Sequence, residues 1–354
     1  MVPARALAAV LVLAAAAAVG PTPAAAAPPD SRTVYEVRDV GGPGAPSSQA
    51  YGISSSGLVT GYSSDAEGVN RAFVWDSRTG TTTLFPDGEF LSTVGMDVND
   101  RGQVVGYGEL PPGGDLPFGG SRTFVWDLRT GTTTLLGTLG GDSAYGEAIN
   151  DRGQVTGMAY TVDRDYHAFV WDPVTGVMQD LGAPGDADWW SSGSGINDRG
   201  QVAGTASTWN GQQSRAFLWD PRTGVTTDLG TLPGMTEATA WDINARGDVV
   251  GSAWGADGGS AFLWSARAGT MTALPGGCDP LALNDRGDVA GIAVAAGVLT
   301  ACVRNAATGV VTLLPHLTAG AESVAWDISR SGHVAGWSGA GPTAVVWTPA
   351  RRRS

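Results

Sequence analysis

The stretch Ile149-Asn-Asp-Arg-Gly-Gln-Val-Thr-Gly157 is one of seven related copies along the chain. The first glycine of each copy stands at position 57, 102, 153, 200, 247, 287 or 332, so the repeating unit is between 40 and 51 residues long. A period of this length is typical of repeat architectures. The other six copies are Ile53 to Gly61, Val98 to Gly106, Ile196 to Gly204, Ile243 to Gly251, Leu283 to Gly291 and Ile328 to Gly336.

A second block follows each copy and reads Ala168-Phe-Val-Trp-Asp172 in the third unit. After it come a turn such as Asp220-Pro-Arg-Thr-Gly224 and a short threonine-rich run such as Val225-Thr-Thr-Asp-Leu229. Because Asn, Asp, Pro and Gly favour tight turns, each unit predicts four short strands joined as antiparallel hairpins. We therefore expect an all-β, seven-bladed β-propeller of four-stranded blades, with an open β-solenoid as the alternative.

The two ends of the repeat region predict how the ring closes. The last unit ends at Trp347 and lacks a fourth strand, whereas Thr33 to Val40 reads as a strand without a unit of its own. Placed as the outer strand of the last blade, this segment would cover an otherwise exposed sheet edge. A solenoid would not explain the extra strand, so the closure favours the propeller.

Features that recur in most units are expected to serve the fold, and a ligand site is expected among residues that break the pattern. The Asn and Asp of the hairpins supply turn-forming oxygens. The tryptophan of the second block is expected to fill the core between blades, because a buried indole removes a large apolar area from water. This series comprises Trp75, Trp126, Trp171, Trp219, Trp264 and Trp347.

The repeat resembles the extracellular HAF-repeat family, which is named for its His-Ala-Phe motif. The resemblance rests on His167-Ala-Phe-Val-Trp-Asp172, on the preceding Asn150-Asp-Arg-Gly153 and on Thr138-Leu-Gly-Gly141, and it spans nearly all of Thr33 to Trp347. Only the third unit has the histidine, however. The resemblance implies secretion and a propeller-like repeat, but it transfers no activity and no catalytic residues. The Trp-Asp pairs are also similar to those of WD-repeat propellers, as an architectural analogy only.

The N-terminus is typical of a secretory signal. Arg5 precedes an apolar run from Ala6 to Gly20, and small residues follow at positions 24–27. We predict a signal peptide over residues 1–26, a linker over 27–32, one propeller domain over 33–349 and a basic tail over 350–354. An uncleaved membrane anchor is the weaker alternative, because a span needs about 20 apolar residues. The expected product is secreted, with no stable membrane insertion after cleavage.

Composition and motifs exclude several classes of function. The net charge is -13 and all 21 basic residues are arginine, which argues against nucleic-acid binding. No Gly-x-Ser-x-Gly, His-Glu-x-x-His or Walker motif occurs, and the three histidines fall in three different units. We expect no cofactor, no metal site and a monomer. Calcium binding stays open, although no copy has a known calcium-loop spacing.

The two cysteines fall in the sixth unit. Cys302 stands at the phenylalanine position of the second block, and Arg304 stands at the tryptophan position. A disulfide between Cys278 and Cys302 would offset part of the missing apolar burial in that blade. Two free buried thiols are the alternative.

The chemically rich loops fall on one face of the predicted ring. If both tight hairpins of every blade lie on the lower face, both variable loops lie on the upper face, where loops commonly carry function. Units three and four bring aromatic side chains, carboxylates and a histidine together there. The candidate ligand-binding residues are Trp189, Trp190, Trp209, Asp186, Asp188, Tyr166, His167 and Trp254. The alternative is that these tryptophans only pack the loops down.

Three further carboxylates, Asp97, Asp242 and Asp327, stand two positions before the hairpin Asn position and are expected near the central channel. They could act as acid and base, or they could cap backbone N–H groups of a neighbouring blade. The leading interpretation is a secreted binding or scaffold propeller that recognises a glycan or cell-surface polymer. The alternatives are an extracellular polysaccharide hydrolase or lyase that uses Asp pairs, and a protein-interaction propeller.

Overall fold

The computed structural model describes residues 33–351 except 43, 87, 114, 115, 117, 118, 185–188 and 212. Within this part the chain forms 28 strands and no helix. The predicted signal peptide and linker lie outside the described residues. Nowhere in the described ranges does the chain form an apolar helix long enough to cross a membrane.

The strands are short, mostly four to eight residues, and follow one another along the chain. In order they are β1 Thr33–Asp39, β2 Ser48–Ile53, β3 Leu58–Ser64, β4 Asn70–Asp76, β5 Thr81–Leu84, β6 Ser92–Val98, β7 Gln103–Leu110, β8 Gly120–Asp127, β9 Thr132–Leu135, β10 Gly140–Ile149, β11 Val155–Thr161, β12 Tyr166–Trp171, β13 Met178–Asp180, β14 Trp189–Ile196, β15 Val202–Thr208, β16 Ser214–Asp220, β17 Val225–Asp228, β18 Glu237–Ile243, β19 Val249–Gly255, β20 Gly258–Ser265, β21 Thr270–Ala273, β22 Asp279–Leu283, β23 Val289–Ala295, β24 Val298–Arg304, β25 Val311–Leu313, β26 Glu322–Ile328, β27 Val334–Gly339 and β28 Ala344–Arg351.

These strands form seven four-stranded antiparallel sheets, which are the blades of a β-propeller. Blades 1 to 6 each use four consecutive strands, from β2–β5 to β22–β25, with the first strand innermost. Blade 7 has the order β26-β27-β28-β1, so the first strand of the chain is its outer strand. The seven-bladed, all-β prediction is confirmed.

The closing contact has the predicted partners. β1 pairs antiparallel with β28, and Val37 lies opposite Trp347 in the register. Strand β28 continues to Arg351, so the first two residues of the predicted basic tail belong to the sheet. The ring therefore has no interruption between its first and last blades.

The core lies between neighbouring blades. Phe73 and Trp75 of blade 1, for example, pack with Ala335 and Val346 of blade 7. All six tryptophans of the series predicted to be core are buried. In blade 6 the phenylalanine position is taken by Cys302, which forms a disulfide with Cys278.

The tight hairpins of adjacent blades form a hydrogen-bonded belt on the lower face, where the innermost strands end. In blade 3 the Asn150 Oδ1 accepts the backbone N–H groups of Arg152 and Gln154. Its Nδ2 donates to the backbone oxygen of Asn197 in blade 4, at 2.9 Å. Gly153 has a φ of 82°, which other residues adopt only with strain. The Asn-Asp-Arg-Gly motif thus forms the turn and joins the blades.

Candidate functional site

The lower opening of the channel is a funnel of about 190 Å³ lined by the hairpins of all seven blades. Its carboxylates take part in the belt: the Asp151 Oδ1 accepts the N–H of Asp100, and the Asp198 Oδ1 accepts that of Asp151, both at 2.9 Å. Burial raises the pKa of Asp151, and the charges of Asp198 and Asp100 add to this effect. Because the same contacts repeat from blade to blade, we assign these residues to the fold.

The three channel carboxylates of the sequence analysis also join blades. The Asp97 Oδ1 accepts the N–H of Val98, and its Oδ2 accepts that of Ile149 in the next blade at 3.0 Å. Asp242 and Asp327 make the equivalent pairs of bonds. Since both oxygens of each carboxylate accept backbone N–H groups, their geometry is that of capping groups between blades.

Every innermost strand contains a β-bulge just before this position. A bulge adds one residue and redirects the side chains around it. Five of the seven extra residues belong to one buried cluster that lines the channel around blades 5, 6, 7, 1 and 2. The extra residues are Tyr51, Met96, Glu147, Ser194, Trp241, Leu281 and Trp326.

Glu147 is the one acidic residue among the seven extra residues of these bulges. It lies on β10 of blade 3 and is fully buried. The pKa of Tyr51 in blade 1 is raised above its ordinary value, mainly by burial and then by Tyr62 and Glu147. The pKa of Tyr107 in blade 2 is also raised, mainly by burial and then by Tyr51 and Glu147. Glu147 therefore lies close enough to influence side chains from two other blades.

Above the bulges, six of the seven blades place a half-buried aromatic side chain against the channel clusters. Tyr107 belongs to the cluster of blades 5, 6, 7, 1 and 2 and also to a second cluster, which continues through blades 3 and 4. We call this set the upper aromatic ring. It consists of Tyr62, Tyr107, Tyr160, Trp190, Trp254 and Trp337.

The ring extends outward over blades 3 and 4. Tyr160 packs against Tyr166 with the rings tilted and their centroids 4.0 Å apart, and Tyr166 in turn contacts Trp209 at 5.4 Å. The Trp209 side chain is 51% exposed, whereas Tyr166 is buried beneath it. Of the aromatic residues predicted for this sector, Trp209 and Trp190 thus have surface available to a ligand.

The structure corrects the expectation that Trp189 is exposed. Only 7% of Trp189 is accessible, because it packs with Val170 and Phe217 between blades 3 and 4. The guanidinium of Arg215 lies over its ring at 5.5 Å. Successive side chains of a strand point to opposite faces, so the next residue, Trp190, turns to the channel cluster instead. Asp186 and Asp188 lie outside the described residues.

His167 is paired with a carboxylate. Its Nδ1 lies 2.9 Å from Asp180 on the outer strand of the same blade. The hydrogen bond to Asp180 raises the pKa of His167, while burial opposes this shift. This contact holds the histidine against the outer strand of its own blade.

Asp279 was not singled out from the sequence, because it lies in the divergent sixth blade. It begins β22, directly after Cys278, and stands opposite Ile292, which belongs to the channel cluster. Burial raises the pKa of this carboxyl. Its position on the innermost strand was a usable signal, since Val94 and Val324, at the equivalent position of blades 2 and 7, belong to the channel cluster.

Among the described residues, no three His, Cys, Asp or Glu side chains form a group that could hold a metal ion. No protein-family model matches the chain, and none of the curated protein sequences matches it.

Solved structures with the same architecture do match. An oligogalacturonate lyase from Vibrio parahaemolyticus aligns with a TM-score of 0.61 and 11% identity, over 89% of this chain and 96% of the lyase. An oligogalacturonate lyase in complex with manganese aligns with a TM-score of 0.56 and 9% identity, over 90% and 96%. TolB from Acinetobacter baumannii aligns at 0.46 and 11%, and the match spans 74% of this chain and 64% of TolB. What the lyases share with this chain, at such low identity, is the propeller fold.

Proposed function

We propose that this chain is a secreted carbohydrate-binding propeller whose ligand lies on the upper face, against the upper aromatic ring and Trp209. The observation that carries the proposal is the recurrence of a half-buried aromatic side chain in six of the seven blades. An aromatic face offers a flat apolar surface, and the hydroxyl or indole N–H group adds a polar contact. Sugars present matching C–H faces and hydroxyl groups.

Two further arguments support this proposal. The aromatic set does not follow the sequence repeat: Tyr62, Tyr107 and Trp337 directly follow the second-strand glycine, Tyr160 and Trp254 stand three residues after it, and Trp190 lies on a first strand. The resemblance to the extracellular HAF repeats fits a secreted protein. Two propellers of similar fold are named as lyases of oligogalacturonate, an acidic oligosaccharide. Their 9–11% identity transfers no residue to this chain.

A glycan array with residues 27–354 tests the proposal. We expect a set of bound carbohydrates, and the double variant Trp190→Ala with Trp254→Ala should bind them at least tenfold more weakly, which corresponds to about 1.4 kcal/mol. Val174→Ala is the control, because Val174 lies in a lower-face hairpin and is 92% exposed. An empty array, or a double variant that binds as tightly as the original chain, would contradict the proposal.

A polysaccharide hydrolase or lyase is the second candidate, and Asp279 is the observation that favours it. A carboxyl with a raised pKa beside a channel is suited to general acid catalysis. Asp97, Asp242 and Asp327 are less suited, because their oxygens accept backbone N–H groups. Reducing-end and unsaturated-product assays on every array ligand separate the candidates. Turnover that disappears in Asp279→Asn, with binding retained, would identify an enzyme.

A further inference from the structure

A groove of about 680 Å³ lies on the side of the ring, between the outer half of blade 1 and the lower hairpins of blade 2. Its volume falls in the range of small-ligand and peptide sites. Leu58, Leu84 and Leu128 contribute apolar surface, and Leu84 is half exposed. The groove is separate from the upper face and uses none of the residues of the proposed carbohydrate site.

Two of these leucines replace residues that serve the repeat elsewhere. At the position of Leu58, blades 3 and 4 have Gln154 and Gln201, whose amides donate to the aspartate of the Trp-Asp pair at 2.9 and 3.0 Å. At the position of Leu128 the other blades have small residues or proline: Ser77, Pro173, Pro221, Ala266, Ala306 and Pro349. Both apolar replacements line the same groove, so the departure from the repeat is concentrated there.

Two arginines, Arg101 and Arg129, line the groove, and Arg129 lacks the ion pair that its equivalents form in two other blades. The residues equivalent to Arg129 in blades 1 and 4, Arg78 and Arg222, each form a 2.9 Å ion pair with the aspartate two positions earlier. In blade 2 the Asp127 carboxylate accepts only backbone N–H groups within this turn. Within the described part of the chain, the guanidinium groups of Arg129 and Arg101 have no hydrogen-bond or ion-pair partner.

We propose that this groove binds an acidic peptide segment of a partner protein. Apolar side chains of the peptide would lie on the accessible Leu84 and Leu128, and its carboxylates would meet Arg101 and Arg129. A guanidinium is suited to this role because its planar donors match the two oxygens of a carboxylate. The floor is aliphatic, and Trp126 is almost fully buried, so the groove lacks the exposed aromatic face on which a sugar would stack. This chemistry favours a peptide over a saccharide.

Fluorescence polarisation with labelled hexapeptide pools tests the proposal. In one pool two of the six positions are glutamate and the central ones are Leu, Ile, Val or Phe; in matched pools glutamine or lysine replaces the glutamate. We expect the acidic pool to bind best, and Arg101→Gln with Arg129→Gln should weaken it about tenfold or more through loss of charge-assisted contacts. Arg199→Gln with Arg222→Gln, at the equivalent positions of blade 4, should leave binding unchanged.

A second variant tests the apolar part without removing charge. Leu84→Gln changes a side chain that lines the groove and is 52% exposed, so the blade should fold while the groove loses its apolar contact. Equal binding of the acidic and glutamine pools, or equal binding by the Arg101→Gln, Arg129→Gln protein, would overturn the proposal. Stronger competition by an oligogalacturonate than by the acidic peptides would also overturn it and would assign the groove to an acidic saccharide.

Discussion

The carboxylate of Asp327 in the last blade accepts the backbone N–H of Ile53 in the first blade, at 2.8 Å. The two residues are 274 positions apart in the sequence, and their bond joins the innermost strands of blades 7 and 1, where the two ends of the ring meet. Asp97 joins blades 2 and 3 in the same manner. Asp97, Asp242 and Asp327 therefore link three pairs of neighbouring blades by hydrogen bonds, as the asparagine side chains of the hairpins do on the lower face.

Replacing Asp327 by alanine should destabilise the ring and leave ligand binding intact. Loss of a charge-assisted hydrogen bond to a partly buried N–H costs about 1.5–3 kcal/mol. Urea denaturation followed by tryptophan fluorescence measures this loss, with Asp257→Ala as the control because Asp257 lies in an exposed hairpin. Unchanged stability together with lost turnover on any array ligand would instead make Asp327 a catalytic residue.

Removal of the closing strand should have a larger effect. Deletion of residues 27–40 would leave β28 as an unpaired edge and expose apolar surface of blade 7, including that of Trp347. We expect the free energy of unfolding to fall by several kcal/mol, on the scale of roughly 25 cal/mol per Å² of apolar area exposed. Deletion of residues 27–32 alone is the control and should melt like the longer chain. Equal melting of both deletions would show that the closure contributes little.

Much of this fold could be predicted from the sequence because the same local rules act seven times. Turn chemistry fixes each hairpin, and the period fixes the number of blades. Even the exchange of β1 into the last blade follows from counting strands in the last unit. The β-bulges could not be predicted, because one extra residue in an innermost strand changes neither the period nor the turn residues, although it sets the lining of the channel.

The candidate site was less predictable, because strand register and side-chain partners decide which residues reach the channel. Trp189 and Trp190 are chemically alike, and only the register of β14 decides that the first is buried and the second reaches the channel cluster. His167 lay close in sequence to the other candidates, but pairing with Asp180 holds it on its own blade. Asp279 lay in the blade whose motifs are weakest. Long-range register and side-chain partners, not residue type, separate these cases.

The raised pKa of Asp279 predicts a pH-dependent effect on stability. Because burial raises the pKa in the folded state above 3.8, the unfolded chain loses this proton first as pH increases. Stability is therefore lost as pH rises from the unfolded pKa through the folded one. Asp279→Asn should melt at a higher temperature than the original chain at pH 7, and the difference should shrink towards pH 3. An equal melting temperature at both pH values would contradict this account.

The disulfide of blade 6 should be detectable and stabilising. Mass spectrometry of the unreduced protein should find no alkylatable thiol, since Cys278 and Cys302 are bonded to each other. Replacing both by alanine should lower stability by about 2–4 kcal/mol, mainly through a less constrained unfolded state. The original chain under reducing conditions is the matched comparison and should lose a similar amount. Two alkylatable thiols in the purified, unreduced protein would eliminate the bond.

Variants of Trp189 and Trp190, which are adjacent in β14, distinguish a residue that stabilises the fold from one that binds the ligand. Trp189→Ala should cost about 3–5 kcal/mol of stability, because it opens a cavity between blades 3 and 4. Trp190→Ala should cost clearly less, because this half-buried side chain lies at the channel. Carbohydrate binding should show the reverse order, with the larger loss in Trp190→Ala at temperatures where both variants are folded. Thermal melts and titration with one ligand from the array give both quantities. If Trp190→Ala instead loses stability as Trp189→Ala does and keeps its affinity, the upper aromatic ring is a packing element, and the ligand site must lie elsewhere on the propeller.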